Sequence, residues 1–256
     1  MRSILKLAKL PVDFLFTLLF WLYIIFGFLF FYIPVLIILS FVLDNREAKF
    51  QRLNHYYYRG FFLGMNTLVP GLSIEISTKI KKLKSSIIIL NHRSYLDPIL
   101  LVSIFPKHKT IVKGIFFKVP FISWAMKSGG YIPFNADLTY NDSMNAGMKD
   151  IPDFIKDGGN LFIFPEGSRS RDGNIKKFHK GAFSIACKYK IPVQVLYIKN
   201  TDRLFPPGKP FLNTCISNAI SIEMLGTLNP SNTSPIEMRK KAVTLYQEKI
   251  KKEKPN

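Results

Sequence analysis

The sequence predicts an α/β fold: a layered domain with a mixed sheet flanked by helices, preceded by an N-terminal membrane-embedded helical hairpin. Three observations carry this. From residue 72 to residue 198, short runs rich in Ile, Val and Phe alternate with stretches of helical character, as when strands of one sheet are covered by helices. Residues 14–43 carry no charged side chain and are crowded with Phe, Leu and Ile. Lys and Arg number 36 against 17 Asp and Glu, a formal charge of +19, which suits anionic lipid surfaces, phosphorylated substrates or nucleic acid. The division that follows is a hydrophobic membrane segment over 1–45 and the α/β domain over 46–256, long enough for one sizeable core.

The apolar run exceeds the core of a signal peptide and shows no small-residue cleavage site. As one straight helix it would extend about 45 Å, against a hydrocarbon core of about 30 Å. Gly27 and Pro34 offer a place to turn back, and Arg2, Lys6 and Lys9 before the run match Arg46, Lys49 and Arg52 after it. Basic residues on both flanks favour a re-entrant hairpin with both ends cytoplasmic over a single tilted span. Residues 47–66 then read as a helix whose Tyr56, Tyr57, Tyr58, Phe61 and Phe62 either lie at interfacial depth or pack on the domain.

Leu72–Ser77 alternates and reads as a half-exposed strand. Ser86–Leu90 is an uninterrupted apolar strand, and Asp97-Pro98 opens a helix with Asp97 as N-cap and Pro98 at the first position. Thr110–Lys113 is a second central strand. A helix with Trp124 ends near Gly129-Gly130, and Gly130–Phe134 is a short strand that Pro133 confines to an edge or bulge. Helices over 141–157 and 181–189 enclose a strand at Leu161–Phe164, and Val193–Ile198 is another. Asp202–Pro210 reads as a surface loop, and Thr214–Ile222 as one or two late strands. Ser234-Pro-Ile-Glu237 has the form of a capping box, and the last helix offers Ile236, Val243, Tyr246 and Ile250 as one apolar face. Cys187 and Cys215 are too few for a disulfide framework; both read as core residues in a reducing compartment.

The chemistry concentrates at two strand ends. The Ser86–Leu90 strand delivers Asn91 and His92 to its C-terminal edge, where open α/β sheets hold ligands. Four residues separate His92 from Asp97, enough for a loop to return the carboxylate to the imidazole. A carboxylate on one ring nitrogen leaves the other free as a base. The plain alternative is a surface histidine and a helix cap. The second end is Asn160-Leu-Phe-Ile-Phe-Pro-Glu-Gly-Ser-Arg-Ser170, an apolar strand running into a polar turn with Glu166, Gly167, Ser168 and Arg169. Gly167 permits close approach, and Arg169 can hold phosphate by a forked contact.

Together these stretches resemble the glycerolipid acyltransferase family, whose first motif is N-H-x-x-x-x-D and whose third is F-P-E-G-[ST]-R-S, with a Phe178-His179-Lys180 stretch following. The resemblance covers roughly residues 85 to 200. It implies transfer of a fatty acyl group from a coenzyme A or carrier-protein thioester to a lipid hydroxyl, with 1-acylglycerol-3-phosphate as the acceptor in the best-known branch. It implies His92 as base, Asp97 as its orienting carboxylate, and acceptor binding by Glu166, Gly167, Ser168 and Arg169. The chain departs from the pattern at Ala136, where the second motif has Arg, and at the fourth motif, which keeps only Pro192 of two prolines.

No metal site is expected, since His55, His92, His108 and His179 lack ligand spacing, and no cofactor beyond the thioester donor is implied. The expected partners are membrane lipids, a lyso-lipid acceptor and the thioester, with the active site on the cytoplasmic side of a membrane. Acceptors other than lysophosphatidate remain open, as does a non-catalytic protein that binds anionic lipid. Charge alone would also allow a nucleic-acid binder, which the apolar N-terminus disfavours.

Overall fold

The computed structural model describes residues 2–42, 46–120, 122–134, 147–170 and 174–253. Ala136 lies outside them, as do residues 141–146 of the helix expected over 141–157. The chain forms two compact units: Met1–Ile76, Arg93–Pro106 and Ile198–Ile222 make unit 1; Ser77–His92, Lys107–Tyr197 and Glu223–Asn256 make unit 2.

Unit 1 opens with helix α1 (Arg2–Phe26), a π-helical stretch (Gly27–Tyr32) and α2 (Ile33–Val42), followed by α3 (Arg46–Leu68). The chain stays helical through Gly27 and Pro34, so the expected turn does not form there. At Gly27 the helix widens instead. A Cβ at that position would lie 2.7 Å from the Tyr57 hydroxyl, and that hydroxyl donates to the carbonyls of Tyr23 and Ile24 at 2.9 and 3.0 Å. These carbonyls lie in the last turn of α1, just before the π stretch. The antiparallel partner is α3: Phe20 packs edge-on to Phe61, Tyr23 stacks on Tyr57, and Tyr32 meets Phe50. The re-entrant hairpin expected within 14–43 is therefore replaced by one continuous apolar helical run, against which α3 packs antiparallel. Of the interfacial aromatics, Tyr57, Phe61 and Phe62 are buried in this packing, while Tyr56 is exposed.

Strand β1 (Leu72–Ile76) pairs in parallel with the first half of β7 (Asn218–Leu228), Leu72 opposite Asn218. Helix α5 (Leu96–Ile104) is held to α3 by His55 Nδ1 and the Val102 carbonyl at 3.0 Å. Asp13 of α1 is buried. It accepts from the Thr214 amide at 2.7 Å, the Thr214 hydroxyl at 2.8 Å and Lys9 Nζ, and the Leu212 amide donates to Thr17 Oγ1 at 2.8 Å. The 212–214 loop is thereby pinned to the first helix. Cys215 is exposed beside it and Cys187 is half-buried, so neither is the core residue expected.

In unit 2 a short helix α4 (Thr78–Lys81) precedes β2 (Ser86–Leu90). The strands β3 (His108–Lys113), β4 (Ile132–Phe134), β5 (Asn160–Ile163) and β6 (Val193–Lys199) complete a parallel set in the order β6-β2-β5-β3-β4. β2 is buried along its whole length because it lies between β5 and β6 and is covered on both faces. Pro133 sits on the edge strand, where a missing N–H costs no ladder bond.

Within unit 2, Thr227 of β7 bonds Gln194 of β6. Within unit 1, Asn200, just past β6, bonds the Ala219 carbonyl of β7. The two strands therefore run in opposite directions, and the sheet is mixed as the sequence predicts. Thr214–Ile222 yields this one strand, and the expected 202–210 loop begins as a helical turn, Thr201–Leu204.

Helix α6 (Ile122–Ser128), α7 (Ile151–Lys156) and α8 (Gly181–Tyr189) fall where the sequence places them. The last helix, α10 (Pro235–Glu253; α9 being Thr201–Leu204), starts with the reciprocal capping box. The Ser234 amide donates to Glu237 at 3.0 Å and the Glu237 amide to Ser234 Oγ at 3.2 Å. Its buried stripe is Met238, Ala242 and Tyr246; Ile236, expected inside, is 55% exposed. Tyr246 packs on Phe178 and Tyr197 and donates to the Leu196 carbonyl, so α10 backs the sheet behind His92.

Candidate functional site

In unit 2 the C-terminal ends of β2 and β5 bring His92 to the Phe164–Ser170 turn. The His92 N–H donates to Glu166 Oε1 at 2.9 Å, and the Ser170 N–H donates to the His92 carbonyl at 2.8 Å. The main chain of His92 is thus gripped from both sides by the third motif. Its imidazole stacks on Phe164 with centroids 4.2 Å apart and remains half-buried. Such a ring is fixed in orientation and still reachable, as a general base must be.

Glu166 is buried, and its other oxygen, Oε2, accepts from the Lys176 N–H at 2.9 Å. Burial pushes the Glu166 carboxyl up from its ordinary value, while the Lys176 and His92 amides and the charges nearby pull it back. Burial also holds the neighbouring Tyr246 phenol well above its usual range, with the Glu166 charge adding to the effect.

Gly167 adopts φ +66°, and a Cβ there would come within 3.3 Å of the His179 ring, so the position suits glycine twice over. Its N–H closes the turn onto the Phe164 carbonyl at 3.0 Å. With the Ser170 amide given to His92, two of the turn's donors are already engaged. Fewer of the turn's amides are therefore left for an anion. Ser168 and Arg169 are half-buried, and Lys176 Nζ braces them, donating to Ser168 Oγ at 3.0 Å and the Arg169 carbonyl at 2.7 Å. Lys176 carries no signal in the sequence; its place in the site comes entirely from the fold of the 174–180 loop.

In unit 1 Asp97 is fully buried. Its Oδ2 accepts from the Arg93 N–H at 2.6 Å and the Ser94 N–H at 2.8 Å, and its Oδ1 accepts from Thr201 Oγ1 at 2.6 Å. This corrects the expected N-cap. Helix α5 starts at Leu96, and the carboxylate turns back to hold the two amides that directly follow His92 in the chain. Ser94 is the side chain at the helix entrance: its hydroxyl accepts from the Leu96 amide at 3.3 Å and donates to the Phe205 carbonyl at 3.1 Å. That double engagement argues against a nucleophilic Ser94. Thr201 and the Arg93–Asp202 ion pair at 3.5 Å were invisible to motif reading.

Unit 1 also carries an almost wholly apolar, half-open pocket of about 430 Å³, lined among others by Phe20, Trp21, Ile24, Tyr95, Ile99 and Phe205. Beside it runs a helix apolar enough to cross a membrane, Lys9–Val35, with a mean hydropathy of 2.5 and most of its surface unburied.

Residues 72–199 match the family model described as Acyltransferase. The chain belongs to the acyltransferase family. Relatives in the family include the chloroplast 1-acyl-sn-glycerol-3-phosphate acyltransferase BAT2 of Brassica napus, 36% identical over 118 residues, covering 46% of this chain and 34% of that one. The 1-acyl-sn-glycerol-3-phosphate acyltransferase of Saccharomyces cerevisiae is 31% identical over 163 residues, 61% of this chain and 53% of that one. The alignments thus span a third to a half of these relatives' lengths. The crystal structure of the 1-acyl-sn-glycerophosphate acyltransferase PlsC from Thermotoga maritima superposes with a TM-score of 0.73 at 20% identity, covering 97% of this chain and 100% of that one, a likeness of fold. The match extends beyond the two motifs and takes in β1 through β6.

Proposed function

We propose that the protein is a membrane-bound O-acyltransferase that moves a fatty acyl group from a thioester to the free hydroxyl of a lysophospholipid, with 1-acylglycerol-3-phosphate as the acceptor and phosphatidic acid as the product. The observation that carries the reading is the two-sided main-chain grip on His92, which fixes a half-exposed imidazole against Phe164 at a strand end. The acceptor named for the relatives, 1-acyl-sn-glycerol-3-phosphate, supports this choice.

In this reading the acceptor hydroxyl attacks the thioester carbonyl carbon as His92 takes its proton. The oxyanion intermediate collapses, the C–S bond breaks, and the thiolate leaves with the proton His92 returns. The products are an ester and a free thiol, and no covalent acyl-enzyme is needed. Asp97, five residues on, orients the imidazole. Glu166 acts as a positioning residue, since both its oxygens already hold amides. Arg169, at the end of the turn, supplies a forked contact for the acceptor phosphate. The apolar pocket falls in the size range of small-molecule sites and suits a hydrocarbon chain. Basic residues flanking the apolar segment orient the protein with both termini cytoplasmic, on the side where thioester donors reside.

The test is acyl transfer by the purified full chain, offering coenzyme A and carrier-protein thioesters with lysophosphatidate, monoacylglycerol, and choline or ethanolamine lyso-lipids. Thiol release with phosphatidate formation is expected, falling roughly a hundredfold or more in His92→Ala. Preference for an uncharged or zwitterionic acceptor overturns the acceptor alone. Full activity in a folded His92→Ala overturns the mechanism, and no transfer with any pair overturns the enzyme.

A further inference from the structure

Residues 98–136 contain no Asp or Glu, and their charges are five lysines at 107, 109, 113, 118 and 127. Lys107 pairs with Asp157 and Lys109 is buried against Phe154, which leaves Lys113, Lys118 and Lys127 exposed. Among these three the structure exposes large apolar side chains. After β3 the chain makes a five-residue 3₁₀ turn, Gly114–Lys118, that buries none of its residues. Ile115 is 66% exposed, and Phe116, Val119 and Ile122 are also exposed. Phe134, exposed as well, stands opposite Lys113 in the β3–β4 register, so it joins the same patch.

A globular surface rarely gathers large apolar groups without a partner. Here the rim is basic and free of acid, the combination that seats a protein segment in an anionic bilayer: apolar groups enter the acyl boundary and lysines stay at the headgroups. A protein partner would need an acidic ring of its own, whereas an anionic bilayer supplies negative charge around an apolar interior everywhere. The patch follows the C-terminal ends of β3 and β4, and the strands of this set are parallel. It therefore lies at the same edge of the unit 2 sheet as His92 after β2 and the Phe164–Ser170 turn after β5.

We infer that Ile115, Phe116, Val119, Ile122 and Phe134, ringed by Lys113, Lys118 and Lys127, form a wedge that docks unit 2 on an anionic lipid bilayer, a membrane contact separate from the N-terminal helix. The wedge presents the His92 edge of the sheet to the surface where a lyso-lipid acceptor resides. The inference rests on the membrane attachment proposed above, which flotation of the chain with vesicles reports independently of any acyl transfer.

The experiment places a nitrobenzoxadiazole label at Ile115→Cys in the full chain carrying Cys187→Ser and Cys215→Ser. A control label at Lys156→Cys, exposed at the end of α7, sits at the opposite edge of the sheet. Each is reconstituted in phosphatidylcholine vesicles with and without phosphatidylglycerol. The label at 115 is expected to shift to the blue, to escape aqueous iodide and to be quenched by lipid bearing a headgroup-depth nitroxide, all more strongly with phosphatidylglycerol. The label at 156 is expected to do none of these. Lys113→Gln and Lys118→Gln should each lower the seated-to-unseated ratio roughly fivefold. Equal iodide quenching at 115 and 156 in floated vesicles overturns the wedge. So does shielding from iodide without nitroxide quenching, which would mean a protein covers the patch. Indifference to phosphatidylglycerol overturns the anionic requirement.

Discussion

Asp97 in unit 1 and Glu166 in unit 2 are both buried carboxylates that accept backbone amides, but they reach differently. Asp97 binds the amides of Arg93 and Ser94, four and three residues before it, and adds the rotatable hydroxyl of Thr201. Glu166 binds the amide of His92, 74 residues away, and that of Lys176, ten residues on. A local loop can relax around a lost acceptor, whereas an acceptor joining distant segments holds their register. A hydroxyl can reverse its role from donor to acceptor and a main-chain amide cannot. Glu166 therefore tolerates no donor at either oxygen, and Asp97 tolerates one.

The largest effect should follow Glu166→Ala. It leaves two buried amides without acceptors, at about 1–3 kcal/mol each, and should lower the melting temperature by roughly 5–20 °C at about 2–4 °C per kcal/mol. Transfer should fall with it by about a hundredfold, and Glu166→Gln should lose about half of that stability, since its amide faces a donor. Asp97→Asn should melt within a few degrees of the parent, because its NH₂ can donate to Thr201, yet lose about tenfold or more in turnover if the charge orients His92. A melting point as low as that of Glu166→Gln would break the comparison. Thr201→Val should cost about 1 kcal/mol, with recovery in Thr201→Ser. The smallest effect is expected from Lys176→Met, within about 1 kcal/mol, because the side chain is exposed and only its backbone amide meets Glu166. A larger loss there, read by calorimetry, would mean the ammonium group and not Glu166 holds the loop.

Much of this was legible in the chain. Ile87–Leu90 could only be a strand covered on both faces, and the Ser234–Glu237 box fixed a helix start because its two bonds need only that spacing. The helix before residue 106 was legible, but the direction of the Asp97 side chain was not. An Asp-Pro pair at a helix entrance has one sequence signature whether the carboxylate reaches forward or back, and Ser94 and Thr201 decide it. The C-terminal helix showed a stripe, yet periodicity leaves its centre free by one position. Packing on Phe178 and Tyr197 centred it on Tyr246 and turned Ile236 outward. Gly27 and Pro34 looked like a turn because both weaken a helix. Tyr57 packs on Gly27 and donates to the carbonyls just before it, and Pro34 lies just past the π stretch, inside a run that stays helical. Nothing in the sequence near Lys176 marked it, since loop residues gain partners only when the strands beneath them are set.

The Asp13–Thr214 bond joins residues 201 positions apart. At a synthesis rate of about 5–20 residues per second, roughly 10–40 s pass between the appearance of one partner and the other. Through that interval the first helix has emerged with its apolar side chains and its acid, while the loop that will hydrogen-bond the acid does not yet exist. Unit 1 cannot close until the chain is nearly finished, so the nascent helix must be sheltered by something outside its own fold. A bilayer can do this for Phe14 through Val35 and leave Asp13 in water at its margin, ready for Thr214 when it arrives.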